Sequence, residues 1–497
     1  MSMYNDVYTG DMKFTTVTHR TMGTWMLFAL AGALLLFFAT YRLSEAPHIW
    51  YDEGYYTQTA QNFMLSGQQV LQVAPGEFTS ASTITGGYPL IVPVALSYQL
   101  FGVGVLSGRA VMVMFIVSFF LATVYLITLL FGTRFALWSA FLIASFPMLY
   151  GNGKSVLGEV PGLFFFVVAL IALVYLERSG YRSLSAYGVS ALAAGLCIAT
   201  KPIFILLLPA LAIVWFLYRK SVPIRWGGVV LATLVFIATM VPWFLLQFGT
   251  HDTLANVLTF YTNPYEVTDL TTNVLANLLL FVTDVTPFYA LAVFALWGCA
   301  MFVRRRAGES VSSAETVGFI FSGLVMLAFL RMPGWYRYLF PAIMVGLLFV
   351  SHALWRMEEW VRERIGIPRI ARVLPWLVLS LLIVAQCYQT ANASFVAAYY
   401  SSHMTRDLTA ALNSLPPNAS IFVYNAPEAV ILLPSLNYYQ YIKPHPTIGI
   451  LGTDALQAIA NGTVDYILLN TGTVPDVDMS KYKPVQNFSR YTILEKQ

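Results

Sequence analysis

Two adjacent carboxylic acids, Asp52 and Glu53, occupy the aromatic segment "HIWYDEGYYTQ", soon after a long apolar run. Only 10% of the 497 residues are charged, and charged groups at a membrane are costly enough to indicate a functional site. A carboxylate at this place can act as a general base or hold a metal ion. The structural alternative is that both acids cap a juxtamembrane helix, because acids favour helix N-termini.

Charged residues recur in three later segments that also border apolar runs. Glu159 lies in "GNGKSVLGEVPG", Lys201 in "ATKP", and Arg331 and Arg337 in "RMPGWYRYLFP". Lys and Arg side chains stabilise a phosphate or a developing anion. Combined with a base at the bilayer edge, they fit the transfer of a group from a lipid phosphate to a hydroxyl or amine acceptor.

Each of these charges also has a structural interpretation. Glu159 precedes a Val-Pro pair and would be a first-turn acid of a helix. Lys201 would extend to the lipid headgroups, and Arg331 and Arg337 would bind headgroups without specificity. Lys154, in the same segment as Glu159, is predicted to be a surface charge.

Aromatic residues accompany the charges. Tyr55, Tyr56, Tyr88 and Tyr336 are candidate contacts for a sugar or an acceptor, because a sugar ring can stack on an aromatic ring. The alternative is an interfacial belt of Trp and Tyr side chains, which anchors membrane proteins at the headgroup level.

The elements that position these residues are membrane helices. The chain is 58% hydrophobic with a mean hydropathy of +0.67, and a soluble domain has about 25% charged residues, so the sequence predicts a mainly α, polytopic membrane protein. The net charge of +4 is small and no basic block suggests a nucleic acid, so we expect no nucleic-acid partner. The three cysteines lie in apolar runs without metal-ligand spacing and indicate no disulfide framework.

The apolar runs predict about eleven spans, or about twelve to thirteen if shorter stretches such as 88–102 also cross the bilayer. They are 24–42, 109–131, 135–150, 159–177, 184–200, 202–218, 227–248, 276–303, 315–331, 338–355 and 373–391. Most loop Lys and Arg residues lie inside if the N-terminus is cytoplasmic, as the positive-inside rule requires. That orientation places all the candidate site residues at the outer face.

The tail differs in character from the rest of the chain. "SIFVYN" and "VDYILLN" are typical of short buried strands, and "TRDLTAALNSL" and "TDALQAIANG" of helices. Their alternation predicts a small α/β domain. We therefore expect two domains: a transmembrane catalytic domain over 1–394, with an outer loop at 44–108, and an extracytoplasmic α/β domain over 395–497.

At this point the chain resembles a known family, the GT-C superfamily of polytopic glycosyltransferases. The resemblance is to the branch of dolichyl-phosphate-mannose–protein mannosyltransferases and bacterial lipid A aminoarabinose transferases. It covers about residues 24–350 and depends on five motifs in the right order: "YDEGYYTQTAQNFMLSGQ", "GGYPLIVPVALSYQLFGVGVLSGR", "GKSVLGEVPGLFF", "GLCIATKPIFILLLP" and "RYLFPAI".

The resemblance implies an inverting glycosyltransferase with a polyprenyl- or dolichyl-phosphate sugar as donor and a glycan, lipid or protein as acceptor. It implies Asp52 as the general base, Glu159 as a second acid for acceptor or metal contact, and Lys201 and Arg337 at the donor phosphate. Glu53 and Arg331 are the weaker candidates for the same two roles. A divalent metal, Mg or Mn, would be held by Asp52 and Glu159.

Two positions depart from the aminoarabinose branch. Tyr55 stands where that branch has Arg, and Gly87-Tyr88-Pro89 where it has Lys-Pro-Pro. Both differences remove positive charge near the donor and indicate another donor sugar. Two other classes of protein stay open: a transporter or flippase of lipid-linked sugars, and a non-catalytic assembly protein. We expect a multi-pass protein of the plasma (inner) membrane.

Overall fold

The computed structural model describes residues 22–82, 84–220, 223, 225–248, 269–365, 372–442, 452–473, 475, 477–488 and 490–497. The segment expected to be the cytoplasmic N-terminus, 1–21, lies outside the described residues. Most of the described chain is helical, as expected where lipid offers no partner to backbone polar groups and a helix satisfies them internally.

The helices follow one another along the chain with short connections. They are α1 (Met22–Thr40), α2 (Tyr51–Ser66), α3 (Tyr88–Phe101), α4 (Val105–Phe131), α5 (Thr133–Ser145), α6 (Pro147–Gly153), α7 (Glu159–Arg178), α8 (Leu184–Thr200), α9 (Leu207–Tyr218), α10 (Trp226–Phe248), α11 (Leu270–Thr283), α12 (Val285–Arg306), α13 (Ser313–Phe329), α14 (Phe340–Ile365), α15 (Leu374–Tyr388), α16 (Met404–Asn413) and α17 (Leu456–Ala460). Short 3-10 turns precede α9 (Pro202–Leu206) and α14 (Tyr336–Leu339).

The prediction of a mainly α, polytopic membrane protein is confirmed, but among the described residues fewer helices than the predicted eleven are long enough to span a bilayer. Within the described ranges, seven helices are long and apolar enough to cross a bilayer, or eight if the bent pair α5–α6 is one span, and shorter apolar helices fill most of the remaining predicted runs. The run 276–303 is wrong as a single helix, because it divides at Asp284 into α11 and α12. Pro287 explains the break, since its ring would clash with the carbonyl of Thr283 in a continuous helix.

The bundle packs around an aromatic and aliphatic core. Helix α7 lies against α4 and α8, α8 against α10, and α12 against α14. Phe166, Phe204 and Phe321 meet in this core, with ring centroids 4.4 Å and 5.9 Å from Phe321. Large side chains such as Phe101 and Val285 are exposed on the outside of the bundle, where lipid replaces water as the surroundings.

The connection between α1 and α4 forms a small layer at one end of the bundle. It contains α2, a two-stranded antiparallel hairpin of β1 (Val70–Ala74) and β2 (Glu77–Ser80), and α3. Helix α2 has Asp52 and Glu53 in its first turn and ends at Gly67, whose left-handed φ of 72° suits glycine. This layer therefore holds the predicted acid pair on a defined helix, rather than on an irregular loop.

The tail contains the predicted α/β domain. Its sheet has the strand order β4-β3-β5-β7-β6, formed by β3 (Ile421–Tyr424), β4 (Tyr438–Tyr441), β5 (Tyr466–Asn470), β6 (Tyr482–Phe488) and β7 (Tyr491–Lys496). Strand β3 runs parallel to both β4 and β5, and the last two strands are antiparallel. The strands and helices expected at "SIFVYN", "VDYILLN", "TRDLTAALNSL" and "TDALQAIANG" are present as β3, β5, α16 and α17.

The two faces of this sheet bury different sets of residues. Val423 and Ile493 face a core shared with α2, α3 and the start of α4, whereas Phe422 and Leu494 face a second core covered by α17. This follows from the period of two along a strand. The domain is thus docked on the α2 layer through one whole face of its sheet.

Candidate active site

Helix α2 presents two functional side chains from one face. Asp52 and Tyr56 are four residues apart, which places them one above the other on a helix. Asp52 contacts Arg337, and Tyr56 contacts Lys201. One helical turn thus brings together residues from three separate segments of the chain.

The first contact is an ion pair between Asp52 and Arg337. Arg337 Nη1 donates to Asp52 Oδ2 at 2.5 Å, and the side chains are 17% and 26% exposed. Arg337 lies in the 3-10 turn that leads into α14. Its guanidinium carbon is 5.1 Å from the Trp335 ring centroid and 5.2 Å from that of Tyr338, close enough for cation–π attraction. Aromatic rings therefore frame the cation beside the carboxylate.

The second contact is a buried ion pair between Lys201 and Glu159. Lys201 Nζ lies 3.1 Å from Glu159 Oε1 and donates to the Tyr56 hydroxyl at 3.2 Å, and that hydroxyl lies 2.7 Å from the Thr85 hydroxyl. Burial disfavours the charged amine, but the attraction of Glu159 outweighs it and raises the pKa of Lys201 above its ordinary value. Lys201 is therefore a permanent cation in this site.

Glu159 keeps one carboxylate oxygen available. Its Oε1 meets Lys201, and its Oε2 is buried without a hydrogen-bond partner among the residues that the structure describes. A buried acceptor without a donor is costly. A hydroxyl group of a bound molecule would satisfy it.

The end of α8 packs closely against the segment before α3. Gly87 donates its N–H to the Thr200 carbonyl at 3.3 Å, and a side chain at Gly87 would overlap the Ala199 carbonyl, 1.9 Å from the position of a Cβ atom. Only glycine allows the segment before α3 to approach Lys201 this closely. This explains the Gly-Tyr-Pro sequence at that position.

Glu53 points away from Asp52 and into the protein. It is 1% exposed and accepts from Arg109 Nε at 2.8 Å, from Arg109 Nη2 at 2.7 Å and from the Val156 N–H at 3.0 Å. Arg109 is fully buried and also donates to the Leu43 and Pro47 carbonyls, both at 2.8 Å. Glu53 therefore joins α2, α4 and the segment that leads into Glu159.

The remaining candidates lie at different distances from this centre. Tyr55 is buried toward the tail domain, with its ring edge-on to Tyr51 at 5.4 Å. Tyr88 donates to the Thr239 carbonyl of α10 at 3.2 Å. Tyr336 interacts with Asp284, and Arg331 is exposed at the end of α13. The contacts described for Tyr55, Tyr88 and Tyr336 are thus with residues other than Asp52 and Lys201.

The structure adds residues that the sequence interpretation did not select. Arg109 opens an apolar helix, and an arginine at such a place should have been paired with a buried acid. Thr85, Trp335 and Tyr338 carry no signal of their own. Lys154 is wrong as a surface charge: it is fully buried and donates to the Tyr41 carbonyl at 2.7 Å.

The residues present do not form a metal centre of the usual kind. Across the described parts of the chain, no group of three or more His, Cys, Asp or Glu side chains converges. Asp52 and Glu159 each contact a cation instead of each other.

Two solved proteins share this fold, ArnT and an oligosaccharyltransferase. ArnT from Cupriavidus metallidurans, in the apo state, superposes with a TM-score of 0.62 at 16% identity, over 95% of this chain and 97% of that chain. The same enzyme bound to undecaprenyl phosphate gives 0.62 at 15% identity, over 95% and 98%. The chain therefore shares the fold of ArnT over nearly the whole length of both chains.

A third structure shares the fold over a longer chain. The oligosaccharyltransferase AglB from Archaeoglobus fulgidus, in complex with an inhibitory peptide and a dolichol-phosphate, has a TM-score of 0.56 at 12% identity, over 90% of this chain and 69% of that chain. No protein-family model and no curated protein sequence matches the chain. The similarity to these structures therefore lies in the backbone fold, at a sequence identity of only 12% to 16%.

Proposed function

We propose that the protein is an inverting glycosyltransferase that moves a sugar from a polyprenyl-phosphate or dolichyl-phosphate donor to an acceptor at the outer face of the membrane. The observation that carries the proposal is the pairing of Asp52 with Arg337 beside the Lys201–Glu159 pair. A base can accept the proton of the acceptor, and two nearby cations can stabilise the phosphate that leaves. Structures with this fold contain undecaprenyl phosphate or dolichol-phosphate, which supports a lipid phosphate as the leaving group.

The reaction is a single displacement. An acceptor hydroxyl or amine attacks the anomeric carbon of the sugar while its proton passes to the carboxylate of Asp52. The bond between the anomeric carbon and the phosphate oxygen breaks, and the electron pair leaves with the lipid phosphate. Lys201 and Arg337 neutralise the phosphate charge as it develops. The attack occurs opposite the leaving group, so the anomeric configuration inverts.

The short distance between Asp52 and Arg337 has a mechanistic consequence. In an in-line displacement the sugar lies between the base and the leaving phosphate, so the two residues cannot stay in contact during the reaction. Donor binding would transfer Arg337 from the carboxylate to the phosphate. The carboxylate then loses the cation that stabilises its charge and accepts a proton more readily. Base activation is thereby coupled to donor binding.

Other residues have supporting roles in this proposal. Glu159 Oε2 would accept a hydrogen bond from a hydroxyl group of the sugar, and Glu159 Oε1 holds Lys201 in place. Glu53 would be a positioning residue and not a second base, because its carboxylate is already fully engaged by Arg109 and Val156. The transmembrane part over 1–394 would bind the donor, and the domain over 395–497 would cover the outer side of the site.

The two alternative classes, a transporter and a non-catalytic assembly protein, predict different features from those observed. A transporter of lipid-linked sugars favours charges at mid-membrane on broken helices, whereas both ion pairs here lie at helix ends. A non-catalytic assembly protein has no use for a base on α2. The observations therefore favour the enzyme.

The decisive variant is Asp52→Asn, which keeps the shape of the side chain and removes its basicity. In proteoliposomes supplied with a labelled polyprenyl-phosphate sugar, we expect transfer to fall by about 10²–10⁴-fold, the usual contribution of a general base. The matched control is Asp407→Asn, which changes an acid on the exposed face of α16. Transfer by Asp52→Asn within about twofold of the wild-type rate would overturn this mechanism.

A further inference from the structure

Helix α11 carries two asparagine side chains on the face that packs against the protein. Asn273, Asn277 and Phe281 follow one another at intervals of four residues, so their side chains lie on the same side of the helix. The opposite side is apolar and exposed, at Leu275 and Val282. Asn277 is only 3% exposed, and a buried amide is costly unless it is hydrogen-bonded.

Both amides cap the C-terminus of α13. The Asn277 amide nitrogen lies 3.2 Å from the Phe329 carbonyl oxygen, 3.1 Å from that of Leu330 and 2.7 Å from that of Met332. The Asn273 amide nitrogen lies 3.0 Å from each of the last two oxygens. The last carbonyls of a helix have no partner within the helix itself, so α11 supplies donors that α13 lacks.

These bonds hold the 330–335 turn, which joins α13 to the 3-10 turn before α14. Phe281 packs edge-on against Phe329 at the beginning of this turn, with ring centroids 5.7 Å apart. Asp284, the C-cap residue of α11, interacts with Tyr336 at the end of the turn. Helix α11 and its C-cap therefore hold the 330–335 turn at both ends.

Gly334 allows the 330–335 turn to lie against Asn277. Its φ is 79°, in the left-handed region that favours glycine. A Cβ atom at this position would lie 3.0 Å from Asn277 Oδ1. The backbone conformation of the turn and its close approach to the amide thus depend on the same residue.

The 330–335 turn leads directly to the cation of the candidate site. Trp335 is its last residue, and the guanidinium carbon of Arg337 lies 5.1 Å from the Trp335 ring centroid. In the proposed reaction Arg337 moves from Asp52 to the donor phosphate, and misplacement of a reacting group by about 1 Å can cost about 100-fold in rate. A fixed backbone before Arg337 limits this motion to its side chain.

We propose that Asn277 is a positioning residue for Arg337. By binding the carbonyls at the start of the 330–335 turn, it keeps the guanidinium within reach of both Asp52 and the donor phosphate, and Asn273 assists it. The proposal rests on the proposed function and adds to it a residue that acts through Arg337.

A purely structural role of Asn277 is the alternative. Asparagine side chains also join membrane helices to one another without any part in catalysis. Both roles predict a looser 330–335 turn when the amide is removed. Only a positioning role predicts that the effect on transfer disappears when Arg337 itself is removed.

The first measurement is hydrogen–deuterium exchange of the full-length protein in lipid nanodiscs, followed by mass spectrometry. In Asn277→Leu, exchange over 330–339 should be faster than in the wild type by about three- to tenfold, as expected when one net hydrogen bond is lost. Exchange over 313–326 should not change. Asn273→Ala should have the same effect to a smaller extent, because Asn273 is partly exposed and makes two of the same bonds.

The second measurement is transfer from a labelled polyprenyl-phosphate sugar in proteoliposomes. Asn277→Leu should lower kcat/KM for the donor by about ten- to a hundredfold and raise the KM of the donor, while the KM of the acceptor stays unchanged. In an Arg337→Ala background the same substitution should lower kcat/KM by less than about threefold, because no guanidinium is left to position.

Asn392→Leu is the matched control for both measurements. Asn392 also donates its amide to a backbone carbonyl, that of Tyr388 at 3.2 Å, but it is exposed. This substitution should change neither the exchange over 330–339 nor the kinetic constants of transfer.

Two results would overturn the proposal. Exchange over 330–339 at the wild-type rate in both Asn277→Leu and Asn273→Ala would show that the amides do not hold the turn. An equal loss of transfer from Asn277→Leu in the wild-type and Arg337→Ala backgrounds would make Asn277 a structural residue only. Absence of transfer by the wild-type protein would instead overturn the proposed function, and the exchange measurement, which needs no donor, distinguishes the two failures.

Discussion

Arg337 donates to the carboxylate of Asp52 at 2.5 Å, although the two residues are 285 positions apart in the chain. The contact joins the first turn of α2 to the turn before α14. It also brings the candidate base into direct contact with a candidate phosphate ligand. In the proposed reaction the two groups act on opposite sides of the reacting carbon, so this contact would be a resting state that donor binding opens.

If donor binding separates Arg337 from Asp52, substitutions of these two residues should have coupled effects on transfer. Arg337→Ala should lower kcat of transfer by about 10²–10³-fold, the usual cost of losing one group that stabilises a developing anion. It should also raise the KM of the donor, since the phosphate loses a ligand. Combined with Asp52→Asn, the loss should be smaller than the product of the two single losses, because the residues act as a unit.

The control for this cycle is the surface pair of Arg406 and Asp407, whose side chains are 66% and 57% exposed. Arg406→Ala and Asp407→Asn should leave the kinetic constants unchanged, alone or together. Strict multiplicativity of the Arg337 and Asp52 effects would contradict the idea that donor binding exchanges Arg337 between carboxylate and phosphate.

A substitution of Glu53 distinguishes a structural role of this residue from a catalytic one. Glu53→Gln preserves the shape of the side chain but leaves the buried Arg109 guanidinium without a counter-charge, and breaking a buried pair costs about 3–5 kcal/mol. We expect a large loss of thermal stability in detergent, measured by unfolding fluorescence. Glu363→Gln, on the exposed side of α14, should have no effect. A stable Glu53→Gln protein without transfer activity would instead make Glu53 a second catalytic acid.

These residues also show how far the sequence can be interpreted. Apolar runs and the alternation of loop charges are properties of local sequence, so the helices and the convergence of Asp52, Lys201 and Arg337 could be predicted. The division at Asp284 follows from Pro287, a helix-breaking residue that is visible in the sequence itself. Two strands of the tail sheet, β3 and β5, were recognisable because they are buried on both faces.

The remaining features depend on tertiary contacts that no local pattern contains. The edge strand β6 has mostly exposed residues and a proline, so its sequence does not alternate as a strand should. Glu53 and Asp52 are neighbours in sequence, but the helix turns them about 100° apart, one toward Arg337 and the other toward Arg109. That rotation gives the two acids different surroundings, a partly exposed ion pair for Asp52 and a buried one for Glu53.

Lys154 predicts a dependence of stability on pH. Burial, with a smaller contribution from Arg109, lowers the pKa of Lys154 from 10.5 to about 7. Between these two values the unfolded chain binds a proton that the folded chain does not, so this residue makes stability rise with pH from about 7 to 10.5. Below pH 7 its buried charge lowers stability by a constant amount.

Lys154→Met should therefore remove that part of the pH dependence and stabilise the protein most at or below neutral pH. The measurement is the Tm of wild type and variant at pH values from 6 to about 10. Lys481→Met is the matched control, because Lys481 also donates to a backbone carbonyl, at 2.6 Å, but is exposed. Parallel Tm curves for wild type and Lys154→Met would show that the amine is charged in both states.

Docking of the tail domain on α2 can be tested at a single glycine. At Gly54 a Cβ atom would lie 2.4 Å from the backbone of Pro427 and Glu428, which cannot move as a flexible side chain does. Gly54→Ala should therefore displace the turn Pro427–Leu432 from α2 and cost about 1–3 kcal/mol, as overpacking of a tight contact does. Transfer should fall as well, because the tail domain would no longer be fixed against α2, the helix that carries Asp52.

The matched control is Gly32→Ala, in the middle of α1, where nothing lies within 4 Å of the added atom. That change should be neutral or slightly stabilising, because alanine is the better helix former by about 0.5–1 kcal/mol. Limited proteolysis after purification distinguishes the two variants: the tail should be released faster from Gly54→Ala than from wild type, and at the wild-type rate from Gly32→Ala. Equal release from both variants would mean that the contact at Gly54 does not hold the domain in place.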